Sequence, residues 1–500
     1  MIKVERQKEL LMREPRFDDI NCSLLSIPKL PHAMIKDTRM AVALARKFND
    51  EVVRPRALEL DLKLMEDPDY LPSDLVEEAN RWGFFTLWEP KLFGGKGLSI
   101  PSFSSFTEEL ASVCVGIANL VSVHYLGMAT LISTWNMRLI NKLLRETVKG
   151  EKTGIPCIIA MGITEPNAGS DVLEVELLNK SNTAFRAEKV KGGYVLNGMK
   201  HFISNGHHST WFAVFAYEEL KRAGDTIVVL AVKKGTKGFS LGRMERKMGQ
   251  KACAASELIF EDCFVPDEYV CFSPEQAKKL KLPIQKSNQQ LVETLGAASR
   301  PGVGSFGTGV ARGAYEEALK FASETEISGK LLINHEWAQF MLGEMYKNVI
   351  LARLAYVEGN YANGLYGTYK ILQMKPIYYM SKYTPQIFFD MFISPFLNFS
   401  IMTWLFRKIN FDWWPENFKE LTTGLSAVPK IACTDLGIKN CQLAMEMMGR
   451  AGLRHDARVE KHLRDSKLLQ IYEGTNEMCR LNLFKALIAR SVPGVSMFEE

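Results

Sequence analysis

The sequence predicts an α+β protein in which an N-terminal helical domain, a middle antiparallel β-barrel or sandwich domain and a C-terminal helical bundle follow one another. Apolar residues recur at helical spacing early in the chain, as at Leu75, Ala79 and Trp82. Short β-rich runs then take over, as at 211–217 and 226–232, with glycine-containing turns between them. The helical period returns in the last part of the chain.

These changes of pattern set the expected domain boundaries. They give an N-terminal extension over 1–35, an N-terminal helical domain over 36–151, a middle β domain over 152–275 and a C-terminal helical domain over 276–500. Composition agrees with an ordinary globular protein, since 47% of the 500 residues are hydrophobic and 24% are charged. The net charge of +5 is small for this length and no block rich in Lys and Arg occurs, so nucleic-acid binding has little support.

The cysteines indicate a reducing compartment. Nine are scattered without a Cys-x-x-Cys pair or the Cys/His spacing of a metal site, and Cys433 and Cys441 lie among apolar residues, as buried free thiols would. The first 19 residues alternate charges and lack the apolar core of a signal peptide. No run of about 18 apolar residues is evident, so we expect no membrane-spanning helix and a cytoplasmic location.

A cluster of histidines invites a metal assignment. His201, His207 and His208 lie around a glycine turn. The sequence shows no matched Asp, Glu or Cys ligand for them, so we interpret them as surface or strand residues and expect no metal.

One stretch near the C-terminus combines a helix end with an acidic residue. Residues 464–477 read as the end of a helix that Gly474 interrupts, and Thr475 or Asn476 can cap the helix that follows. Glu473 therefore lies at a sharp joint, which can push its carboxylate into a cavity. A solvated carboxylate at a helix end is the simpler interpretation of an isolated Glu-Gly pair.

Two further motifs accompany this joint. Residues 161–171 read Met-Gly-Ile-Thr-Glu-Pro-Asn-Ala-Gly-Ser-Asp, and residues 193–200 read Gly-Tyr-Val-Leu-Asn-Gly-Met-Lys. With Ile-Tyr-Glu-Gly-Thr at 471–475, in this order, the chain resembles the acyl-CoA dehydrogenase family of flavoproteins from about residue 38 to about residue 487. The resemblance implies the same order of helical, β and helical domains, and FAD bound between the β domain and the C-terminal helices.

The chemistry of that family requires particular groups. Removal of an α-proton from an acyl thioester needs a desolvated base, hydrogen-bond donors for the thioester oxygen, and a cofactor that accepts hydride from the β-carbon. The sequence Gly-Val-Gly-Ser-Phe-Gly at 302–307 lies in a helical context and is not a nicotinamide site.

The resemblance assigns roles to individual residues. Glu473 would be the catalytic base, with its backbone N–H holding the thioester oxygen. The alternative base position of some family members is Ser299 here, so the base assignment points to Glu473 alone. The residues placed at FAD are Met161, Ile163, Thr164, Ser170, Phe202, Ser204, Arg450, Thr475 and Glu477. Those placed at the substrate are Ser170, Arg300 and Gly474. A strand with alternating core residues is the alternative for Phe202 and Ser204, and a helix-end ion pair is the alternative for Arg300.

The chain also departs from the family at positions that contact the FAD of a neighbouring subunit. The family's Arg-x-x-Phe-Gly is Thr-Glu-Ile-Ser-Gly at 325–329, and its Gln-x-x-Gly-Gly is Glu-Met-Met-Gly-Arg at 446–450. Arg450 can restore the positive charge that pyrophosphate requires. The resemblance implies an aspartate near the pantetheine at a position that is Ala297 in this chain. We expect a homodimer or homotetramer with altered contacts between subunits.

An insertion at about 365–420 has no counterpart in ordinary family members. Its many large aromatic residues include Tyr378, Tyr379, Phe388, Phe389, Phe392, Phe396, Trp404, Phe406, Trp413 and Trp414. Residues 391–406 carry no charge, Pro395 interrupts them, and Lys and Arg flank them. Two hypotheses stand side by side, a hairpin that docks on a membrane surface or a partner, and a buried subunit interface.

The resulting functional expectation is an FAD-dependent acyl-CoA dehydrogenase of fatty acid metabolism and β-oxidation that makes a trans-2-enoyl thioester. Electrons would pass to an electron-transfer flavoprotein or a membrane oxidoreductase. The insertion would allow the protein to bind peripherally to the inner face of the membrane. Two alternatives are a flavin-dependent monooxygenase of the same fold and a non-catalytic assembly or scaffold homologue. The glycines after Arg300 fit either a roomy acyl pocket or close helix packing.

Overall fold

The computed structural model describes residues 22–26, 31–367, 369–489, 494–495 and 497–498. Most of the expected N-terminal extension over 1–35 therefore lies outside the described residues. Over the described part the chain forms the expected α+β architecture of helices, one sheet and helices again.

The N-terminal helices are amphipathic and pack their apolar stripes into one core. They are α1 (Cys22–Ser26), α2 (Ala33–Phe48), α3 (Arg54–Glu66), α4 (Ser73–Arg81), α5 (Ile100–Ala111), α6 (Val115–Ser122), α7 (His124–Ser133) and α8 (Met137–Thr153). Local chemistry sets the bounds of α8. The Asn136 side chain accepts a hydrogen bond from Leu139 N, and Gly154 ends the helix at φ +77°.

One expectation about this region is wrong. Val115–Ser133 is long and apolar enough to cross a membrane, although the sequence was expected to contain no such run. In the fold, 78% of this segment is buried inside the protein, so it forms the core helices α6 and α7. The segment does not read as a continuous apolar run because Ser, Asn, His and Thr are scattered among its apolar residues.

The middle domain is one mixed sheet. Its strands are β1 (Ile159–Gly162), β2 (Arg186–Val190), β3 (Gly193–Ser204), β4 (Trp211–Tyr217), β5 (Ile227–Lys233), β6 (Phe239–Met244), β7 (Ala255–Pro266) and β8 (Val270–Phe272). They run in the order β6-β7-β3-β2-β4-β5-β8, and β1 lies beside β4. Most neighbours are antiparallel as expected, but β1 and β2 each pair with β4 in parallel. A short α9 (Val175–Leu178) lies between β1 and β2.

Strand β4 shows why the sheet sits inside the molecule. Alternate side chains along it enter two different apolar cores. Phe212 and Val214 pack in a core within the sheet, whereas Trp211 and Phe215 pack against the helices. Both faces of the strand are therefore buried, which explains its continuous run of apolar residues.

The C-terminal domain is a helical bundle with the insertion in its middle. Its helices are α10 (Pro274–Ala277), α11 (Ile284–Glu324), α12 (Glu336–Tyr366), α13 (Lys370–Gln373), α14 (Lys375–Tyr383), α15 (Gln386–Phe388), α16 (Ser400–Arg407), α17 (Glu416–Met448), α18 (Val459–Leu469) and α19 (Asn476–Leu483). A small hairpin, β9 (Glu326–Ile327) and β10 (Lys330–Leu331), joins α11 to α12. The long helices α11, α12 and α17 pack against one another.

The structure distinguishes the two explanations of the glycines in α11. A Cβ at Gly304 would lie 2.9 Å from Pro429 Cβ, and one at Gly307 would lie 2.6 Å from Cys433 O. These glycines let α11 and α17 approach closely. Gly302 instead faces the ring of Phe103 at the cavity described below.

The insertion consists of short helices that cover α8 and the end of α7. The segments Gln386–Asn398 and Ser400–Trp413 are together apolar enough for a membrane span, but they are bent by 84° at their junction. Arg407 is buried and donates hydrogen bonds to Thr134 O at 3.0 Å and Cys271 O at 2.6 Å. Asp390 pairs with Arg145 at 2.8 Å. The last residues of the expected insertion, 416–420, belong to α17.

Candidate active site

A cavity of about 620 Å³ lies where the N-terminal helices, the sheet and α11 meet. Its lining is mostly apolar, and it includes nine of the twelve residues that the sequence placed at a site. These nine are Met161, Ile163, Thr164, Ser170, Phe202, Ser204, Glu473, Gly474 and Thr475. The tertiary fold thus brings together motifs that are separated by about three hundred positions in the chain.

The joint that carries Glu473 has the geometry expected of a sharp helix break. Helix α18 ends at Leu469, and the Thr475 side chain caps α19 by accepting a hydrogen bond from Met478 N at 3.2 Å. Glu473 has φ +58° and Gly474 has φ +82°. A non-glycine residue in this left-handed region costs about 1–2 kcal/mol, so the surrounding packing holds Glu473 in this conformation. A Cβ on Gly474 would lie 2.5 Å from Leu173 Cδ1, which requires glycine there.

Within the described part of the chain, one direct hydrogen bond holds the Glu473 carboxylate. Ser299 Oγ donates to Glu473 Oε2 at 2.6 Å. Burial raises the pKa of Glu473, and the Ser299 hydrogen bond and the positive charges of Arg300 and Lys430 oppose that rise. The carboxylate is therefore both desolvated and held in place, as a proton acceptor on carbon must be.

A buried lysine supports the joint from behind. Lys430 Nζ donates to Asn476 Oδ1 at 2.7 Å, and Asn476 Nδ2 donates to Asp435 Oδ1 at 2.8 Å. Burial lowers the pKa of Lys430 to about 8. These contacts fix the first turn of α19 against α17.

Ser170 connects the β domain to the joint. Its Oγ accepts a hydrogen bond from Thr475 N at 3.1 Å. Ser170 begins a short 3-10 helix, Ser170–Leu173, which overlaps the end of the 161–171 motif. This hydrogen bond holds the joint against that motif.

A buried ion pair positions the opposite wall. Lys200 Nζ lies 2.9 Å from Glu165 Oε1 and donates to Ile163 O at 3.0 Å, and both charged side chains are almost completely buried. Glu165 Oε2 also accepts hydrogen bonds from the backbone N–H groups of Ala184 and Phe185. Thr164 O accepts from the backbone N–H of residue 201 at 2.8 Å. The loop after β1 is therefore tied to β3.

The wall formed by this loop and β3 fits a flat aromatic group. Phe202 has φ +58°, and its side chain is 54% exposed although it lines the cavity. Met161 and Ile163 add apolar surface beside it, and Thr164 and Ser204 add hydroxyl groups. An apolar face with polar groups near its edge suits an isoalloxazine ring, whose rim carries hydrogen-bonding atoms.

Three predicted site residues do not line the cavity. Arg300 is buried, and its Nη2 donates to Asn482 Oδ1 at 2.6 Å. Among the described residues, Arg300 therefore forms neither the helix-end ion pair that was its alternative nor part of the cavity lining. Arg450, on the 3-10 helix Gly449–Leu453, and Glu477, on α19, are both exposed on the surface of this chain.

The sequence predicted no role for two residues that act on Glu473. Ser299 was noted only as the position of an alternative base, yet it is the hydrogen-bond donor to the carboxylate. Lys430 lies in the middle of α17, and no local pattern marks it. The signal available for Ser299 was its place one residue before Arg300, on a helix expected to face the site.

The expectation that His201 lacks acidic neighbours is wrong. Its Nε2 lies 2.6 Å from Glu245 Oε1 and 3.2 Å from Glu257 Oε1, a grouping with the spacing of metal ligands. Arg243 Nε also lies 2.9 Å from Glu257 Oε1, so a guanidinium already pairs with that carboxylate. The pairing of β3 and β6 with β7 brings these residues together, which no local spacing shows.

The chain matches three family models. They are the N-terminal domain of acyl-CoA dehydrogenase at residues 36–151, its middle domain at 160–263, and its C-terminal domain at 291–360 and 416–488. Residues 361–415, which include most of the insertion, fall in the gap of the last match.

Known proteins give the same result. Probable acyl-CoA dehydrogenase FadE25 of Mycobacterium tuberculosis is 26% identical over 449 residues, covering 89% of this chain and 93% of that protein. The structure of butyryl-CoA dehydrogenase from Megasphaera elsdenii matches with a TM-score of 0.69 at 22% identity, over 95% of this chain and 100% of that one. A glutaryl-CoA dehydrogenase from Mycobacterium smegmatis in complex with FADH2 matches with a TM-score of 0.65 at 20% identity, over 91% and 95% of the two chains.

Proposed function

The chain belongs to the acyl-CoA dehydrogenase family of FAD-dependent enzymes, and on that premise we propose that it oxidises an acyl-CoA thioester to the trans-2-enoyl-CoA with Glu473 as the base. The observation that carries the proposal is the position of Glu473. Its carboxylate projects from a left-handed joint into the same cavity as Thr164, Phe202 and Ser204.

Each proposed step is assigned to a group of this chain. Glu473 takes the α-proton, because burial raises the pKa of its carboxyl and so makes the carboxylate a stronger base. The backbone N–H of Glu473 holds the thioester oxygen and stabilises charge that develops there. Ser299 keeps the carboxylate oriented. Bound FAD supplies the hydride acceptor, and Met161, Thr164, Phe202 and Ser204 would hold it.

The two alternatives are weaker. Flavin monooxygenases of this fold generally lack the base, so an inward-facing Glu473 disfavours that reaction. A non-catalytic scaffold would have no need of a strained acidic residue and a large apolar cavity beside it.

The test is spectroscopic. The purified protein is expected to carry a flavin band that bleaches on anaerobic addition of an acyl-CoA. Glu473→Gln should retain the band and lose bleaching by at least about a thousandfold, since it keeps the size of the side chain and removes the base. Glu336→Gln, on an exposed residue at the start of α12, is the matched control. A Glu473→Gln protein that bleaches as fast as the parent contradicts the proposal.

We propose that a homodimer or homotetramer is the working form and that an electron-transfer flavoprotein or a membrane oxidoreductase takes up the electrons. Exposed Arg450 suits a contact with the FAD pyrophosphate of a neighbouring subunit, in place of the charge absent from 325–329. Arg450→Ala should weaken FAD retention in the oligomer. Equal retention in Arg450→Ala and parent argues against this contact.

We further propose that the insertion places this cytoplasmic protein on the inner face of a membrane. The exposed large apolar side chains of its bent helical segment are Ile387, Phe388, Met391, Phe392, Phe396, Phe399, Ile401, Trp404 and Trp413. The charged groups of the same segment are paired or buried, although Asp390 itself is exposed. Asp390 binds Arg145, Arg407 binds backbone carbonyls, and Lys408 pairs with Asp412 at 2.6 Å. An aromatic surface whose few charges are paired or buried suits the headgroup region of a bilayer.

Vesicle flotation tests the membrane contact. The parent should float with vesicles of phosphatidylglycerol and phosphatidylethanolamine, and Phe392→Ser with Phe396→Ser should not. Phe340→Ser is the control, because Phe340 is 75% exposed but lies near the start of α12, about 39 Å along that helix from the insertion. A parent that ignores vesicles and forms a dimer that the double variant loses would instead make this surface a subunit interface.

A further inference from the structure

The insertion reaches the interior of the protein as well as its surface. Tyr369, Ile371, Leu372, Phe406 and Asn410 line the same cavity as Glu473. The family models leave this part of the chain unmatched, so this portion of the wall is a feature of the insertion.

The inward face of the insertion is fixed against the N-terminal helices. The ring of Phe406 stacks on Trp135, with ring centres 6.0 Å apart and planes at 17°. Thr403 Oγ accepts a hydrogen bond from Met137 N at 3.1 Å. The next residue after Phe406 is Arg407, whose guanidinium binds Thr134 O and Cys271 O. Helix α16 therefore presents Phe406 to the cavity as part of a rigid wall.

A small polar pocket adjoins the large cavity beside this wall. Trp135, Tyr369 and Asn410 line both the large cavity and a small pocket of about 30 Å³. The small pocket contains Glu293 and Lys419 among its lining residues, and it has room for about one or two water molecules. A methylene group pushed past Trp135, Tyr369 or Asn410 would meet these polar groups, so the apolar part of the cavity ends there.

We propose that the insertion sets the length of the acyl group, with Phe406 and Leu372 as the specificity-determining residues. The preferred substrate class is an acyl-CoA with an apolar tail that reaches the insertion and carries no polar group at its far end. This inference rests on the proposed function, since it takes the cavity beside Glu473 as the acyl site. Buried methylenes favour binding until the tail meets the wall, and further ones do not.

The experiment is calorimetric titration of the holoenzyme with acyl-CoA thioethers of graded length, which bind without being oxidised. Kd should fall about fourfold per added methylene and then stop falling at a definite length. Phe406→Ala should move that length upward, because it opens the wall. Leu372→Trp should move it downward, because it fills the cavity. Flavin bleaching by the matching thioesters should follow the same order.

Two controls on the outward side of the insertion sharpen the test. The first control is Trp404→Ala. Trp404 lies two positions from Phe406 on α16, is 52% exposed and does not line the cavity. The second control is Met374→Trp. Met374 lies two positions from Leu372, is exposed and does not line the cavity. Both should keep the parent length. The inference is overturned if every variant stops at the parent length while binding thioethers normally. Failure of all thioethers to bind the parent would instead sink the proposed function.

Discussion

The hydrogen bond from Ser299 to Glu473 predicts a measurable change in the pH dependence of the reaction. Ser299→Ala removes a donor that lies 2.6 Å from the carboxylate oxygen. A hydrogen bond to a charged group contributes about 1.5–3 kcal/mol, and one pKa unit corresponds to about 1.4 kcal/mol, so the pKa of Glu473 should rise by about one to two units. The base must be ionised to act, so activity is lost as pH falls through that pKa. The acidic limb of the profile should therefore move to higher pH by the same amount.

The assay is the rate of anaerobic flavin bleaching at limiting acyl-CoA over a range of pH, which reports the free enzyme. Ser323→Ala is a matched control on α11, because Ser323 is exposed and its hydroxyl donates only to Leu319 O. An acidic limb in Ser299→Ala that coincides with the parent's would refute the reasoning.

Stability offers an independent check on the same substitution. The folded-state pKa of Glu473 is raised above its unfolded value, so the native state binds the proton more tightly. The contribution of this group to stability is fully present below the ordinary carboxyl pKa and is lost as pH rises through the raised one. Ser299→Ala enlarges this loss, so it should destabilise the protein more at pH about 8 than at pH about 4. Equal urea midpoint shifts at both values contradict the assignment.

Two further predictions concern the scaffold of the site. Lys200→Met should lower the free energy of urea unfolding by about 3–5 kcal/mol, because it leaves Glu165 charged and buried without a partner. The exposed pair of Lys189 with Asp267 is the comparison, and Lys189→Met should cost less than about 1 kcal/mol. Gly307→Ala should cost about 1–3 kcal/mol in the same measurement, because its Cβ would lie 2.6 Å from Cys433 O and force α11 from α17. A neutral Gly307→Ala would show that this helix contact is loose.

Local sequence determined a large part of this protein. The run 211–217 is strand β4 within the bounds that its β-rich residues predict. The residues Glu-Gly-Thr determine the joint, since Gly474 takes a positive φ and Thr475 caps the next helix. Both features depend on backbone preferences of neighbouring residues, which a sequence displays directly.

Contacts between distant residues required the tertiary structure. Ser299 reaches Glu473 across 174 positions, and His201 meets Glu257 only because of the register between β3 and β7. Arg300 turns inward to Asn482, although the family resemblance placed it at the substrate.

In the insertion, too, the sequence determined some features and the tertiary structure determined others. Its sequence displayed aromatic residues but could not say which face each would take. The structure turns Trp404 outward and Phe406 to the cavity, although the two lie on one short helix. Periodicity tells which residues share a face of an element, but the packing of that element against the rest of the chain decides where the face points.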